Sequence, residues 1–218
     1  MTRNLPDLVL WDMDGTLIDQ TPSIIRCYRE VFSQLGDMIP NEDAIKRSLG
    51  GPLKATLSEF LPPEKVEPAQ LLFRQLFTNT MFEGMRIMDG ASELIEKLDI
   101  QKINQAILTN KQGDNARKVS AFCGFDTVIK VCIGHGDNPY QKPHPKFTQQ
   151  AIDCFPDCKK LESIVLIGDS PTDVQTALNY KITSFAVATG AHSIQELSES
   201  GAHYTFSSIE AITDYWKL

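Results

Sequence analysis

Two aspartates stand two residues apart where a short apolar run ends: Leu8-Val9-Leu10-Trp11 leads into Asp12-Met13-Asp14-Gly15-Thr16-Leu17-Ile18-Asp19. The run is short and β-prone, which predicts both carboxylates at the tip of a buried strand. Like charges that close in a partly dry site resist joint ionisation. A bound cation or a part in catalysis would offset that cost. Polar groups follow apolar runs three more times. Thr109-Asn110 follows Ala106-Ile107-Leu108, and Lys142-Pro143 follows Val128–Ile133 through a Gly- and Pro-rich loop. Asp169, Ser170 and Asp173 follow Ile164-Val165-Leu166-Ile167. Ligands of open parallel sheets bind beyond the carboxyl ends of the strands. The pattern therefore predicts one lysine, neutral donors and four carboxylates on one edge.

Carboxylates in excess ask for a hard cation. Mg²⁺ takes one or two of them, keeps waters and completes its shell with a phosphate oxygen. Lys142 and the Thr109 hydroxyl could then bind other phosphate oxygens. One leading aspartate could act as a nucleophile, because carboxylates form covalent intermediates such as aspartyl phosphate. The other could protonate a leaving alkoxide and later activate water.

The elements that must hold these groups alternate strand and helix. Besides the runs above, Ser184–Val187 and Tyr204–Phe206 read as strands. Ala91, Leu94, Ile95 and Leu98 share a helical face, Asp114–Phe122 reads as a helix ended by Gly124, and Pro171 suits the first turn of a helix running to Asn179. This rhythm predicts an α/β fold, a doubly wound and mostly parallel sheet covered on both faces. Residues 21–86 break the rhythm. They show helical patterns, with Ile24, Tyr28, Val31 or Phe32 and Leu35 on one stripe and Leu72, Leu76 and Met81 on another between Val66 and Met81. Ser48–Leu53 reads as a turn between them. The expected organisation is an α/β core of residues 1–20 and 87–218, with an inserted helical cap at 21–86.

These motifs resemble those of the haloacid dehalogenase superfamily, whose members mostly transfer phosphoryl groups. Asp12-x-Asp14-Gly15-Thr16 looks like the first motif, Thr109 after its strand the second, Lys142-Pro143 the third and Gly168-Asp169-Ser170-Pro171-Thr172-Asp173 the fourth. The likeness spans nearly the whole chain, and the helical insertion is similar to the family's small α-helical cap, beside phosphoglycolate phosphatases and β-phosphoglucomutases. It implies that Asp12 attacks phosphorus and that Asp14 serves as acid and then base, with its backbone carbonyl helping to hold Mg²⁺. It further implies that Thr109, Asn110 and Lys142 bind the phosphoryl group. The metal set so implied is Asp12, Asp14, Asp169 and Asp173, the last directly or through water. Gly15–Ile18 would form a flexible turn coupling closure to chemistry. Gly50-Gly51-Pro52-Leu53 resembles the cap loop that reaches the site, which makes Arg47, Gly51 and Lys54 candidates for specificity, with Arg74 and Arg86 behind them.

The implied activity is Mg²⁺-dependent hydrolysis of a small phosphomonoester. A sugar phosphomutase uses the same set with a different acceptor, and a non-catalytic binding member would be expected to lack one of these groups. Halide-displacing and phosphonate-cleaving relatives do not carry a second aspartate at the position of Asp14. Asp19 reads as a turn or cap residue, and His135, His144, His192 and His203 show no metal-ligand spacing.

The rest of the composition narrows the setting. A net charge of −7 over 218 residues argues against nucleic acid or an anionic membrane as partner. No apolar stretch approaches the roughly 20 residues that span a bilayer. Residues Met1–Asp7 lack the apolar region of a signal peptide. Five scattered cysteines predict free thiols in a reducing cytoplasm. Monomer and homodimer are equally open.

Overall fold

Leu8, Val9, Leu10 and Trp11 are all fully buried, the continuous apolar signature of a strand covered on both faces. In the computed structural model, which describes residues 5–158 and 160–218, this run is β1 (Leu8–Trp11). The reading of the N-terminus rests partly on residues 1–4, which lie outside the described residues. After β1 come β2 (Ile18–Asp19), then the helices α1 (Thr21–Leu35), α2 (Glu42–Arg47), α3 (Leu53–Phe60) and α4 (Pro63–Thr80), and then β3 (Arg86–Ile87). The chain continues through α5 (Ala91–Ile100), β4 (Asn104–Gln112), α6 (Gly113–Phe122), β5 (Val131–His135), α7 (Pro145–Asp153), β6 (Ile164–Gly168) and α8 (Pro171–Tyr180). It ends with β7 (Thr183–Val187), α9 (Ile194–Glu199), β8 (Tyr204–Phe206) and α10 (Ile209–Trp216).

Six strands form one parallel sheet in the order β5-β4-β1-β6-β7-β8. Side chains alternate across a strand, and β1 shows the result. Val9 and Trp11 join the apolar cluster that contains Leu94, Leu98, Val119 and Ile212, whereas Leu8 and Leu10 join the one built on Phe147, Ala151 and Ala177. Helices therefore cover both faces, as the alternation predicts. The first cluster holds a buried polar link: Trp11 Nε1 donates to Gln105 Oε1 (3.0 Å), and Gln105 Nε2 donates to the Ile95 carbonyl (3.0 Å). It ties β1, β4 and α5 together.

Register is what positions the site. Trp11 is level with Ile107 on β4 and with Ile167 on β6, so Asp12, Thr109 and Asp169 emerge at the same sheet edge.

The helices between β2 and β3 pack on one another through aromatic side chains, with the rings of Tyr28 and Phe73 5.0 Å apart and those of Phe73 and Phe77 5.4 Å apart. Here the structure corrects one reading and adds short elements. The buried stripe of α4 is Val66, Ala69, Phe73 and Phe77, while Leu72 and Leu76 are only partly buried. Both stripes have helical spacing, and the larger rings take the inner one. The short helices α2 and α3 flank the Gly50-Gly51 turn, and β2 and β3 pair antiparallel at the base of the insertion (Ile18 with Ile87, Asp19 with Arg86). Elements of two to eight residues leave little periodicity to read. All five cysteines are free, and no described helix is long and apolar enough to cross a membrane.

The buried Trp11–Gln105 link yields a stability prediction. Trp11→Phe leaves the Gln105 acceptor unpaired, a loss of about 1–3 kcal/mol before any cavity term. Urea unfolding checks it, and an unchanged midpoint would show that the link contributes nothing.

Candidate active site

Lys142 is the centre of the site. Its ammonium is fully buried and donates to Asp12 Oδ1 (2.6 Å) and Asp173 Oδ1 (2.6 Å). Asp173 is fixed independently. It is the third residue of α8 and closes a capping box with Ser170, accepting from the Ser170 backbone N–H (3.1 Å) and Oγ (2.6 Å). Asp169 completes the group, with Oδ1 accepting from Thr16 Oγ1 (3.2 Å). One oxygen from each of Asp12, Asp169 and Asp173 lies within 4.8 Å of the others.

The charges do not balance. Three carboxylates face one ammonium, so full ionisation leaves two negative charges in a buried space. Burial, and then the Asp173 charge, outweigh the pull of Lys142 and push the Asp12 carboxyl up to about 7. Burial with the charges of Asp173 and Asp12 holds Asp169 well above the usual carboxylate range. Burial also works against the charge on Lys142, but Asp12 and Asp173 outweigh it and raise the lysine. Such a donor set suits a hard divalent cation, which is bound by oxygen ligands and carries a charge equal and opposite to the surplus left on full ionisation.

Space around Asp169 is tight on purpose-sized residues. A Cβ at Gly190 would lie 1.7 Å from Asp169 Oδ2, and one at Gly15 (φ +83°) would lie 2.3 Å from it. Thr189 Oγ1 donates to the Gly15 carbonyl (2.6 Å) and holds the turn against this carboxylate.

Asp14 stands apart from the trio. Lys111 Nζ binds both of its oxygens (2.9 and 2.7 Å), and the lysine side chain is only 5% exposed. The ammonium also lies 5.0 Å from the centre of the Phe77 ring of α4. Sequence reading counted a single lysine here and missed Lys111. Local pattern did not point to it, because Lys111 lies in an irregular stretch of β4 where the pairing with β5 shifts register between Leu108 and Gln112.

The other candidates sort by geometry. Thr109 is buried, and its Oγ1 accepts from the Lys111 backbone N–H (3.2 Å). Asn110 lines the same cavity as Thr109 and Lys142, and its side chain binds backbone: Oδ1 accepts from the Lys142 N–H (2.8 Å), and Nδ2 donates to the carbonyls of Lys142 (3.3 Å) and Gly50 (3.2 Å). Asp12, Asp14, Thr109 and Lys142 line one cavity of about 640 Å³, together with Gly51, Lys54 and Arg74 from the helical segment. A second cavity of about 630 Å³ reaches Asp14 and Asp169 beside Thr189 and Gly190. Arg47 lines neither; it is exposed and pairs with Glu196 (3.4 Å). Arg86 pairs with Asp19 (3.1 Å), and Asp19 also accepts from the Thr21 N–H (2.9 Å), the turn role expected of it. His144 caps α7 and stacks on Tyr140.

Chemically, the arrangement offers a carboxylate poised beside an ammonium and a cation-binding set, with a second carboxylate held nearby by its own lysine. The chain is similar to known proteins in sequence and in fold. The family model described as haloacid dehalogenase-like hydrolase matches residues 9–187. A protein of Caldanaerobacter subterraneus subsp. tengcongensis, provisionally named pyrophosphatase PpaX, is 27% identical over 211 residues, 96% of this chain and 91% of that one. The phosphoglycolate phosphatase of Rhodobacter capsulatus is 24% identical over 216 residues, 95% of this chain and 97% of that one. The haloacid dehalogenase-like hydrolase SP0104 of Streptococcus pneumoniae shares the fold, with a TM-score of 0.87 at 20% identity, over 97% of this chain and 98% of that one.

The charge imbalance predicts a pH effect. An aspartate titrates at about 3.9 in an unfolded chain, and Asp12 titrates at about 7 in the fold. The folded chain thus binds the extra proton between these values, and stability from this group falls as pH rises through the window. In chelator, Asp12→Asn should therefore gain stability relative to the unaltered chain from about pH 4 to about pH 7 in urea titrations. A constant or shrinking difference would contradict the assignment.

Proposed function

This chain belongs to the haloacid dehalogenase-like hydrolase family, and on that premise we propose that it is a Mg²⁺-dependent phosphatase acting on a small phosphomonoester. The observation that carries this reading is the group of Asp12, Asp169 and Asp173 around the single ammonium of Lys142, with Asp14 held separately by Lys111. The names of the Rhodobacter and Caldanaerobacter relatives, both enzymes of phosphate release, favour the same chemistry.

Asp12 is the nucleophile. Its carboxylate oxygen forms a bond to phosphorus as the bond to the ester oxygen breaks, and the phosphoryl group passes to Asp12. Asp14 gives its proton to the departing oxygen, then takes one from the water that cleaves the aspartyl phosphate. Lys142 and the Thr109 hydroxyl hold phosphoryl oxygens, and Asn110 sets the loop that carries Lys142. Asp12, Asp169 and Asp173 hold Mg²⁺, aided by the backbone carbonyl of Asp14. When bound, Mg²⁺ supplies the charge neutralisation that phosphoryl transfer depends on. Residues 21–86 act as a cap over the core formed by 1–20 and 87–218, with Gly51 and Lys54 facing the substrate. The free thiols suit a reducing cytoplasm.

Two measurements test this. Phosphate release from a panel of monoesters should stop in EDTA and return with Mg²⁺; full turnover in chelator refutes the metal role. Asp14→Asn should lower kcat by about 10²–10⁴-fold, the usual scale of general acid–base catalysis. An unchanged kcat would remove Asp14 from the mechanism.

A further inference from the structure

The larger cavity carries more positive charge than the proposed chemistry uses. Lys142 is matched by Asp12 and Asp173, and Lys111 by Asp14. Arg74 lines the same cavity, yet it has no carboxylate partner among the described residues. This is a local feature of a chain whose net charge is −7.

Arg74 is not a freely solvated arginine. It is half-buried on α4, and its Nη2 meets His135 Nε2, at the end of β5, at 3.1 Å. A guanidinium can only donate, so His135 must offer a lone pair at Nε2 and keep its ring neutral. Burial, and then the charge of Arg74, lower the His135 pKa and favour that state. The histidine therefore orients the guanidinium without cancelling its charge. A half-buried cation beside a neutral ring lacks a countercharge, and an anion docking there would offset its desolvation.

The position fits a small ligand. Arg74 stands three residues before Phe77, hence one helical turn away on the same face of α4. The Phe77 ring backs the Lys111 ammonium at 5.0 Å, and that ammonium holds Asp14. Arg74 and Phe77 are therefore neighbours on α4, and both line the cavity that holds Asp12 and Asp14. Tyr28, Phe73 and Phe77 form an apolar wall of this cavity, which strengthens charge pairing by excluding water.

We propose that Arg74, oriented by His135, is an anion subsite, and that the preferred phosphomonoester carries a second anionic group, a carboxylate or a phosphate, on its leaving side. The proposal rests on the phosphatase reading and adds the class of substrate. Arg74 is a specificity residue in it, and His135 a positioning residue.

Steady-state kinetics on the full, Mg²⁺-loaded chain test it with three esters: 2-phosphoglycolate, a sugar bisphosphate, and 2-hydroxyethyl phosphate, which matches the first in size but lacks its carboxylate. In Arg74→Gln, kcat/KM for the better anionic ester should fall relative to that for the neutral one by about 10- to 100-fold, the worth of a hydrogen bond to a charged group. The fall should appear mainly in KM. Arg74→Lys should retain part of the preference, which guards against a variant that merely folds poorly. Arg117→Gln makes the same charge change away from both cavities and should leave the ratio where it is. An unmoved ratio in Arg74→Gln, with the esters still hydrolysed, overturns the subsite alone. No hydrolysis of any ester by the unaltered chain overturns the phosphatase reading itself. The ester that loses most in Arg74→Gln identifies the anion as carboxylate or phosphate.

Discussion

One ammonium buried among three carboxylates is the condition to which the rest of the molecule is fitted. Lys142 touches Asp12 and Asp173 at 2.6 Å each, and Asp169 lies within the same small space. Burial makes charge there costly unless it is paired. The parallel register brings the ends of β1 and β6 level, so Asp12 and Asp169 arrive together. The capping box of α8 aims Asp173. Asn110 holds the backbone of Lys142 at both its N–H and its carbonyl. Gly15 and Gly190 leave room for Asp169 that no other residue would. Each feature, taken alone, is an ordinary piece of local structure. Together they gather three carboxyl groups around one ammonium, a set that on full ionisation carries two negative charges in excess, which a divalent cation would balance.

Asp14 answers to a different partner, and this separates two carboxylates that the sequence sets side by side. Its charge is met by Lys111, whose ammonium also rests against Phe77 of α4. The helical segment therefore contacts the reacting edge through a ring, and again through the Gly50 carbonyl that accepts from Asn110. Both contacts tie the arrangement of α1–α4 to the two groups that would handle the phosphoryl group and the proton. The two cavities meet at Asp14, one on the side of Lys142 and the other on the side of Asp169.

Much of this was legible in the sequence, for physical reasons that also mark where reading stopped. Buried parallel strands are continuous apolar runs, so β1 was readable to the residue and the edge that follows it could be inferred. Pro171 announced α8. Lys111 was missed because it follows a polar residue on a strand taken as ended at Leu108, whereas β4 continues irregularly to Gln112. The amide of Asn110 is engaged by backbone brought in from Lys142 and Gly50, contacts that no local pattern encodes. Arg47 looked well placed beside the Gly50 turn, yet the short α2 turns it outward to Glu196. The inner stripe of α4 went to Phe73 and Phe77 because ring volume, which spacing alone does not weigh, decides between two equally periodic faces.

The central claim is that this buried surplus is closed by one divalent cation. Isothermal titration of the metal-free chain with Mg²⁺ near neutral pH tests it most directly, with Asp169→Asn beside it. The account predicts one ion bound per chain, with protons released on binding because Asp12 and Asp169 must ionise, and loss of that binding in the variant. Absence of binding at millimolar Mg²⁺, or binding that Asp169→Asn leaves intact, would contradict it.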